Sequence, residues 1–524
     1  MTDTVVQRIR KNVEIEPVKP ALEVDSQSLN YFELWEKSSR IAEILRSFKV
    51  SKQNVGILAY RSVATYTGIL GTLISGNTYL PFNPKFPNDR IIKMIQLANT
   101  RTFIVGKEFI SGLSLLENSI NEKLLFLAPE IKRNDMPVLN STAICAEDFE
   151  IIKSNNKIDK IDLEDIAYLI FTSGTTGEPK GIPISHKNLI SFIDVNQKNY
   201  PLNVNDRCSQ AFPTTFDCSV QDIFSTWNAG SCLVCVPESD LFAPAKFINE
   251  KSLTVWYSVP SVAMFMKRMN ILKENIFRTL RYSMFCGEAL NEHIAVSWQK
   301  AAPNSLVINL YGPAENTIAI TNYTWKKEGN NCTNGIVPLG KVYSTLDFLI
   351  VDDELNPLKK NEIGELLISG PQVSSGYLND NDQTTKKFVK LIQSGSKIWY
   401  RTGDIVNEDE NGDLQFLGRI DHQVKIRGYR VELEEVEKVV REASGRDFAV
   451  ALSYPFQSPV AESIVVILEQ GNYDVANILS ICKSVLPDYM IPKDIISIPF
   501  IPLNNNGKID KNKIISMLKE SHGN

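Results

Sequence analysis

Long apolar runs are missing from this 524-residue chain: no stretch offers the roughly 20 apolar residues of a membrane-spanning helix. The opening Met1-Thr-Asp-Thr-Val-Val-Gln-Arg also lacks the apolar core of a secretory leader, so a cytoplasmic location is expected. A basic excess is missing too. Lys and Arg number 56 against 61 Asp and Glu, giving a formal net charge of −5 with no Lys/Arg cluster. This argues against nucleic acid or an anionic membrane as the main partner. The eight cysteines show no framework spacing, which predicts free and mostly buried thiols. Cys232-Leu-Val-Cys235 lacks a second cysteine pair, and none of the four histidines is near it in sequence. Flanked by Leu233, Val234 and Val236, it reads as a buried strand and not as a zinc or redox site. Neither a solenoid repeat nor a low-complexity tract divides the chain.

What is present is globular and layered. Hydrophobic residues make up 43% of the chain, and its length implies two or more domains at roughly 100–200 residues each. Between residues 30 and 420, helical patterns such as 32–48 alternate with short apolar strands such as 231–236 and 305–310, the pattern of α/β layers. After the turn-like Asn411-Gly412-Asp413 and the run Gly418-Arg419-Ile420-Asp421 the pattern restarts. A basic strand is expected over 424–430 and a charged helix over 434–443. Glu432, Glu434, Glu435 and Glu437 read as a solvated helix face, with Glu434 and Lys438 paired at i, i+4.

The most informative stretch is Phe171-Thr-Ser-Gly-Thr-Thr-Gly-Glu-Pro-Lys180-Gly181, which follows an apolar strand at 166–171. Gly174 and Gly177 let the backbone turn its N–H groups inward. Thr172, Ser173, Thr175, Thr176 and Lys180 add hydroxyl and ammonium donors, the density a polyphosphate requires. A Walker A loop is excluded, because the lysine precedes a glycine where that motif needs Lys-Ser/Thr. The bland alternative is a flexible Ser/Thr/Gly turn.

The loop resembles the phosphate-binding motif of the adenylate-forming superfamily, which includes acyl-CoA synthetases, luciferases and the adenylation domains of non-ribosomal peptide synthesis. Further segments similar to family signatures follow in order: Leu29-Asn-Tyr-Phe-Glu-Leu34, Gly76-Asn-Thr-Tyr-Leu-Pro-Phe-Asn-Pro84 with Arg90, Tyr311-Gly-Pro-Ala-Glu315, Gly364-Glu-Leu with Gly376-Tyr-Leu, Tyr400-Arg-Thr-Gly-Asp404, Gly418-Arg-Ile-Asp421 through Glu437, and Asn506-Gly-Lys-Ile-Asp510. The resemblance implies an α/β fold with a large N-terminal core of layered subdomains (1–420) binding ATP and the acid. A small, mobile α+β domain (421–524) would turn on a hinge at Asp421 and carry the catalytic Lys508.

Each site residue takes its role from the motif it matches. The Thr172–Lys180 loop, with Thr172 and Lys180 counted among the catalytic residues, would hold the β- and γ-phosphates, and Glu315 would hold Mg²⁺, which prefers carboxylate and phosphate oxygens. Gly287, Glu288, Ala289, Asn309, Tyr311 and Gly312 would surround the nucleotide, with Tyr311 stacked on the base. Asp404 would accept from the ribose hydroxyls beside Arg419, and Lys508 would act at the α-phosphate. One departure stands out: Ala314 occupies a position where the family commonly has Thr, which removes a hydroxyl worth about 0.5–1.5 kcal/mol as a hydrogen bond.

Asp217, in Phe216-Asp217-Cys218-Ser219, matches the residue that pairs with the α-ammonium in amino-acid-activating members. The bland alternative is a cap on the helix expected to begin near Ser219. Cys218, Gln221, Ser261, Met284, Cys286, Leu310, Ile318 and Ala319 would line the side-chain pocket. None of these is charged, which points to a small or medium neutral amino acid. Met284-Phe-Cys-Gly-Glu288 and Gly428-Tyr-Arg-Val-Glu-Leu-Glu-Glu435 look most like D-alanyl carrier protein ligases, which favours D-alanine; Gln221 departs from the apolar residue expected there and leaves L-proline, serine and threonine open. With no Gly-Gly-x-Ser attachment site in the sequence, the phosphopantetheine-bearing carrier protein is expected in trans, with Gly428 in the thiolation step. The alternatives are an acyl- or aryl-CoA ligase, which Asp217 disfavours, and a non-catalytic binding module, which would be expected to lose Lys180, Glu315 or Lys508.

Overall fold

The computed structural model describes residues 3–174, 178–391, 395–421, 423–456, 458, 460–502 and 509–522. Thr175, Thr176, Gly177 and Lys508 lie outside them. The chain clusters into two compact units: Met1–Pro84, Ile91–Phe171 and Gly181–Ile420 form the larger, and Lys85–Arg90, Thr172–Lys180 and Asp421–Asn524 the smaller.

The larger unit is built of helices on sheets, as the alternation of patterns predicts. The Tyr31–Ser47 helix starts at a capping box: Asn30 accepts from the Glu33 amide at 2.8 Å, and the Glu33 carboxylate accepts from the Asn30 amide at 2.9 Å. Leu34, Trp35, Ile41 and Leu45 recur at helical spacing and are buried. The Val63–Ile74 helix has no charged residue and is buried on every side.

Among the described residues the larger unit carries seven-, nine- and five-stranded sheets. In the nine-stranded sheet, the strands Leu306–Tyr311, Tyr282–Phe285, Val255–Ser258, Arg207–Gln210 and Cys232–Cys235 lie side by side and parallel. Parallel strands need cover on both faces, and this sheet separates two cores. Tyr257, Met284, Cys286, Ile308 and Leu310 point into one, while Trp256, Phe285 and Val307 point into the other. Cys232 and Cys235 are buried on that sheet as expected, and all eight cysteines are free, seven of them buried. No helix among the described residues is long and apolar enough to cross a membrane.

In the smaller unit, Ala449–Tyr454 pairs antiparallel with Ser463–Glu469, which pairs parallel with Asp494–Ile498. The Leu433–Ser444 and Val475–Val485 helices share a core that includes Val436, Val440, Ile478 and Cys482. Two expectations are corrected here. The single strand expected over 424–430 is a hairpin, Val424–Ile426 against Tyr429–Val431. Arg427 and Gly428 both take positive φ (51° and 82°), and such a two-residue turn matches the twist of antiparallel strands. Nor are the glutamates a solvated face. Glu432 and Glu435 are buried, with Glu432 accepting from Gln423 and Glu435 paired with Arg90 at 2.5 Å. The Arg90 partner is supplied by a segment 345 positions away, so helical periodicity could not reveal it.

Candidate functional site

In the smaller unit, the end of the Ile166–Thr172 strand leads into Ser173 and Gly174, both buried. A Cβ on Gly174 would come within 2.0 Å of the Glu178 carbonyl oxygen, so this close approach requires glycine there. The Ser173 hydroxyl donates to the Arg430 carbonyl at 2.7 Å. Lys180 opens the Lys180–Ser185 strand. Burial raises the Glu432 carboxyl pKa, opposed by the positive charges of Arg430 and Lys180. Asp421 accepts from the Gln423 amide at 3.3 Å, and Gly428 completes the hairpin turn.

In the larger unit, Tyr311, Asp404 and Arg419 come together. The Tyr311 hydroxyl donates to one oxygen of Asp404 and the Arg419 guanidinium donates to the other at 2.6 Å. Arg419 also reaches the Thr402 carbonyl at 3.2 Å, and the Thr402 hydroxyl accepts from the Asp404 amide at 3.0 Å. Burial, reinforced by the adjacent Asp404 carboxylate, pushes the Tyr311 phenol well above its ordinary pKa. It therefore remains a donor. Asp404 keeps lone pairs beyond these two bonds, which suits it to a vicinal diol.

Glu315 lies in a short helical turn, Ala314–Asn316, and is 1% exposed. It accepts from the Tyr377 hydroxyl at 2.7 Å. The chain then takes two successive left-handed residues, Thr317 (φ 57°) and Ile318 (φ 74°). β-branched residues rarely adopt that conformation, and it costs about 1–3 kcal/mol per residue. Gln372 straps the bend: its side-chain Nε2 donates to the Ala319 carbonyl at 2.8 Å, and its backbone carbonyl accepts from Thr317 Oγ1 at 2.6 Å. Asn309 donates to the Pro338 carbonyl at 2.9 Å, and Glu288 accepts from the Ser261 amide at 2.9 Å. Gly287 and Ala289 follow the Tyr282–Phe285 strand, and Gly312 follows Leu306–Tyr311.

Asp217 directly precedes the Cys218–Asn228 helix, is 9% exposed, and makes no side-chain capping bond. The helix-cap alternative thus loses its hydrogen bond. Cys218, Met284, Cys286, Leu310, Ile318 and Ala319 fall within one buried cluster. Gln221, 5% exposed, donates from Nε2 to Met284 Sδ at 3.3 Å. Ser261 is half-buried in the first turn of the Pro260–Arg268 helix. Burial raises the Cys218 thiol pKa, and the neighbouring Cys286 raises it further. No group of three or more metal-ligating side chains occurs among the described residues.

Sequence reasoning missed Tyr377, Gln372, Tyr257 and the Phe212–Phe216 pair, whose rings stack at 5.9 Å with planes 3° apart. Tyr377 stood inside the Gly376-Tyr-Leu match, which could have marked it. Gln372 had no local signal.

The AMP-binding enzyme family model matches residues 9–378. Zwittermicin A synthase ZmaJ of Bacillus cereus is 31% identical, over 99% of this chain and 96% of its own length. D-alanine–D-alanyl carrier protein ligase of Bacillus velezensis is 29% identical, over 97% of this chain and 98% of its own. Several relatives are far longer, and of these the chain spans only 8–20%. The crystal structure of the Vibrio cholerae adenylation domain AlmE in complex with glycyl-adenosine-5′-phosphate superposes with a TM-score of 0.89 at 32% identity, covering 99% of this chain and 98% of that one. The chain belongs to the AMP-binding enzyme family.

Proposed function

We propose that this member of the AMP-binding enzyme family uses ATP to activate a small neutral amino acid as its aminoacyl-adenylate. It then passes the acyl group to the phosphopantetheine thiol of a carrier protein. The observation that carries the reading is Asp217: a buried carboxylate that does not cap its own helix and directly precedes Cys218, which shares a buried cluster with Met284, Cys286, Leu310, Ile318 and Ala319. A carboxylate shielded in this way suits an α-ammonium, with which it would form a strong charge-assisted pair. D-alanine, L-proline, serine and threonine fall within this class. Glycine joins them through the ligand bound to AlmE.

In the first step the substrate carboxylate attacks the α-phosphorus and pyrophosphate leaves, so the protein must align two anions and offset their charge. Asp404, steadied by Tyr311 and Arg419, would hold the ribose. Ser173, Gly174 and Lys180 would receive the leaving phosphates. A buried carboxylate with one oxygen already oriented by Tyr377 fits a hard divalent cation, so Glu315 would hold Mg²⁺, which when bound neutralises phosphate charge. Lys508 would supply the cation at the α-phosphate. In the second step Gly428 and its hairpin would serve the incoming thiol.

The test is ATP–pyrophosphate exchange over L- and D-amino acids with their des-amino counterparts, followed by thioester formation with holo carrier protein and with free coenzyme A. The expected result is exchange with a small neutral amino acid, little with its des-amino acid, and faster loading of the carrier. Equal activation of the des-amino acid, with efficient acylation of coenzyme A, would favour the acyl-CoA ligase reading. Lys508→Ala should nearly abolish exchange while leaving transfer from preformed adenylate less affected.

A further inference from the structure

Gln221 is the polar residue of the substrate cluster whose needs the protein leaves unmet. Its Nε2 donates to Met284 Sδ, while its Oε1 is buried without a hydrogen-bond partner. A thioether sulfur accepts but has no hydrogen to donate, so this contact sets which end of the amide faces Met284. The carbonyl oxygen is the end left over. Leucine or methionine would fill the same volume and strand no acceptor. Retaining glutamine therefore carries a free-energy cost unless something else brings a donor.

Placement says what that donor belongs to. Gln221 lies about one helical turn beyond Asp217, four residues along, which puts the two on one face about 6 Å apart along the axis. Met284, on the Tyr282–Phe285 strand, accepts from Gln221 of the Cys218–Asn228 helix; Cys286, just past that strand, neighbours Cys218, and Leu310 joins the same cluster. An amino acid with its ammonium at Asp217 and its side chain against this cluster brings that side chain toward Gln221. A methyl group there leaves the oxygen unpaired. A hydroxyl or amide hydrogen satisfies it.

We infer that Gln221 selects an amino acid whose side chain carries a hydrogen-bond donor, a hydroxyl or a primary amide, over alanine, proline or glycine. This rests on the proposed amino-acid activation and names the substrate class of that same site. A cavity that hydrogen-bonds its substrate rejects the analogue lacking the donor, because its own polar atom is then left bare.

The experiment measures kcat/KM for amino-acid-dependent pyrophosphate exchange with the full chain. Both enantiomers of serine, threonine, asparagine, alanine and proline, and glycine, are compared in the wild type, Gln221→Leu and Gln221→Met. At least one donor-bearing amino acid should exceed alanine of the same chirality by tenfold or more, with serine or threonine against asparagine deciding between hydroxyl and amide. In both variants that ratio should fall at least tenfold, with thermal stability kept or raised. A purely structural role for Gln221 would move stability and leave the ratio alone. The inference is overturned if wild type activates alanine, proline or glycine as well as any donor-bearing amino acid, a result that needs no variant to fold. It is also overturned if the ratio survives in the variants. Exchange with des-amino acids but no amino acid would instead overturn the proposed function, and this inference with it.

Discussion

The two faces of the Tyr282–Phe285 strand are built of different chemistry. Toward the back core, Phe285 meets Trp298 edge-on at 5.1 Å, Phe277 lies 5.2 Å from the same indole, and Trp256 packs nearby. Toward the Cys218–Asn228 helix, Met284 and Cys286 present sulfur to Cys218, Gln221 and Leu310. Ring-on-ring packing holds one geometry. Thioether, thiol and amide leave a surface that a small polar ligand can complete. The side-chain period of two lets a four-residue strand serve both ends, so odd and even positions should fail in different assays.

The largest break in that contrast is expected from Asp217→Ala, on the ligand side. Removing one partner of a shielded ion pair costs about 3–5 kcal/mol, so kcat/KM for the amino acid should fall hundreds- to thousands-fold. ATP affinity and melting temperature should barely move, and the des-amino acid should be relatively less penalised. A large loss of stability with a small, nonspecific loss of activity would assign Asp217 to the fold instead.

On the back face, Trp298→Ala should show the converse. Deleting a fully buried indole costs about 3–5 kcal/mol of folding stability. Urea denaturation should report that loss, while kcat/KM at low temperature stays within a few-fold. Met284→Ala should shift preference toward a longer side chain by about 1–3 kcal/mol, read as a ratio of kcat/KM values, with a smaller change in stability. The mildest change is Ser283→Ala. It removes the 2.8 Å hydroxyl pair with Ser305, for about 1 kcal/mol of stability and no shift in substrate preference. If Ser283→Ala altered specificity, the division of labour between the faces would not hold.

What the sequence made legible was local. The 166–171 strand is a continuous apolar run, 231–236 and 305–310 are apolar apart from Ser231, Ser305 and Asn309, and the 32–48 helix is a 3.6-residue rhythm, so each could be found to within a residue or two. The resemblance placed Tyr311, Asp404 and Arg419 in motifs far apart in the chain, and their side chains meet in the structure. Features decided by distant partners were not legible. Glu435 looked solvated because Arg90 is invisible from its own helix. The Arg427-Gly428 turn was hidden inside a run of strand-forming residues, and Gln372 earns its strap only where Thr317 and Ala319 pass beside it.

The left-handed bend at Thr317 and Ile318 ties two inheritable properties to one codon. Ile318 is both a wall of the buried cluster and a residue held in a conformation that glycine or asparagine would adopt more easily. A substitution that relaxes the backbone removes the wall, and one that reshapes the wall keeps the strain. Drift in substrate range at this position is thereby slowed, and a directed-evolution library that varies Ile318 will repay its effort best when Gln372 is varied with it.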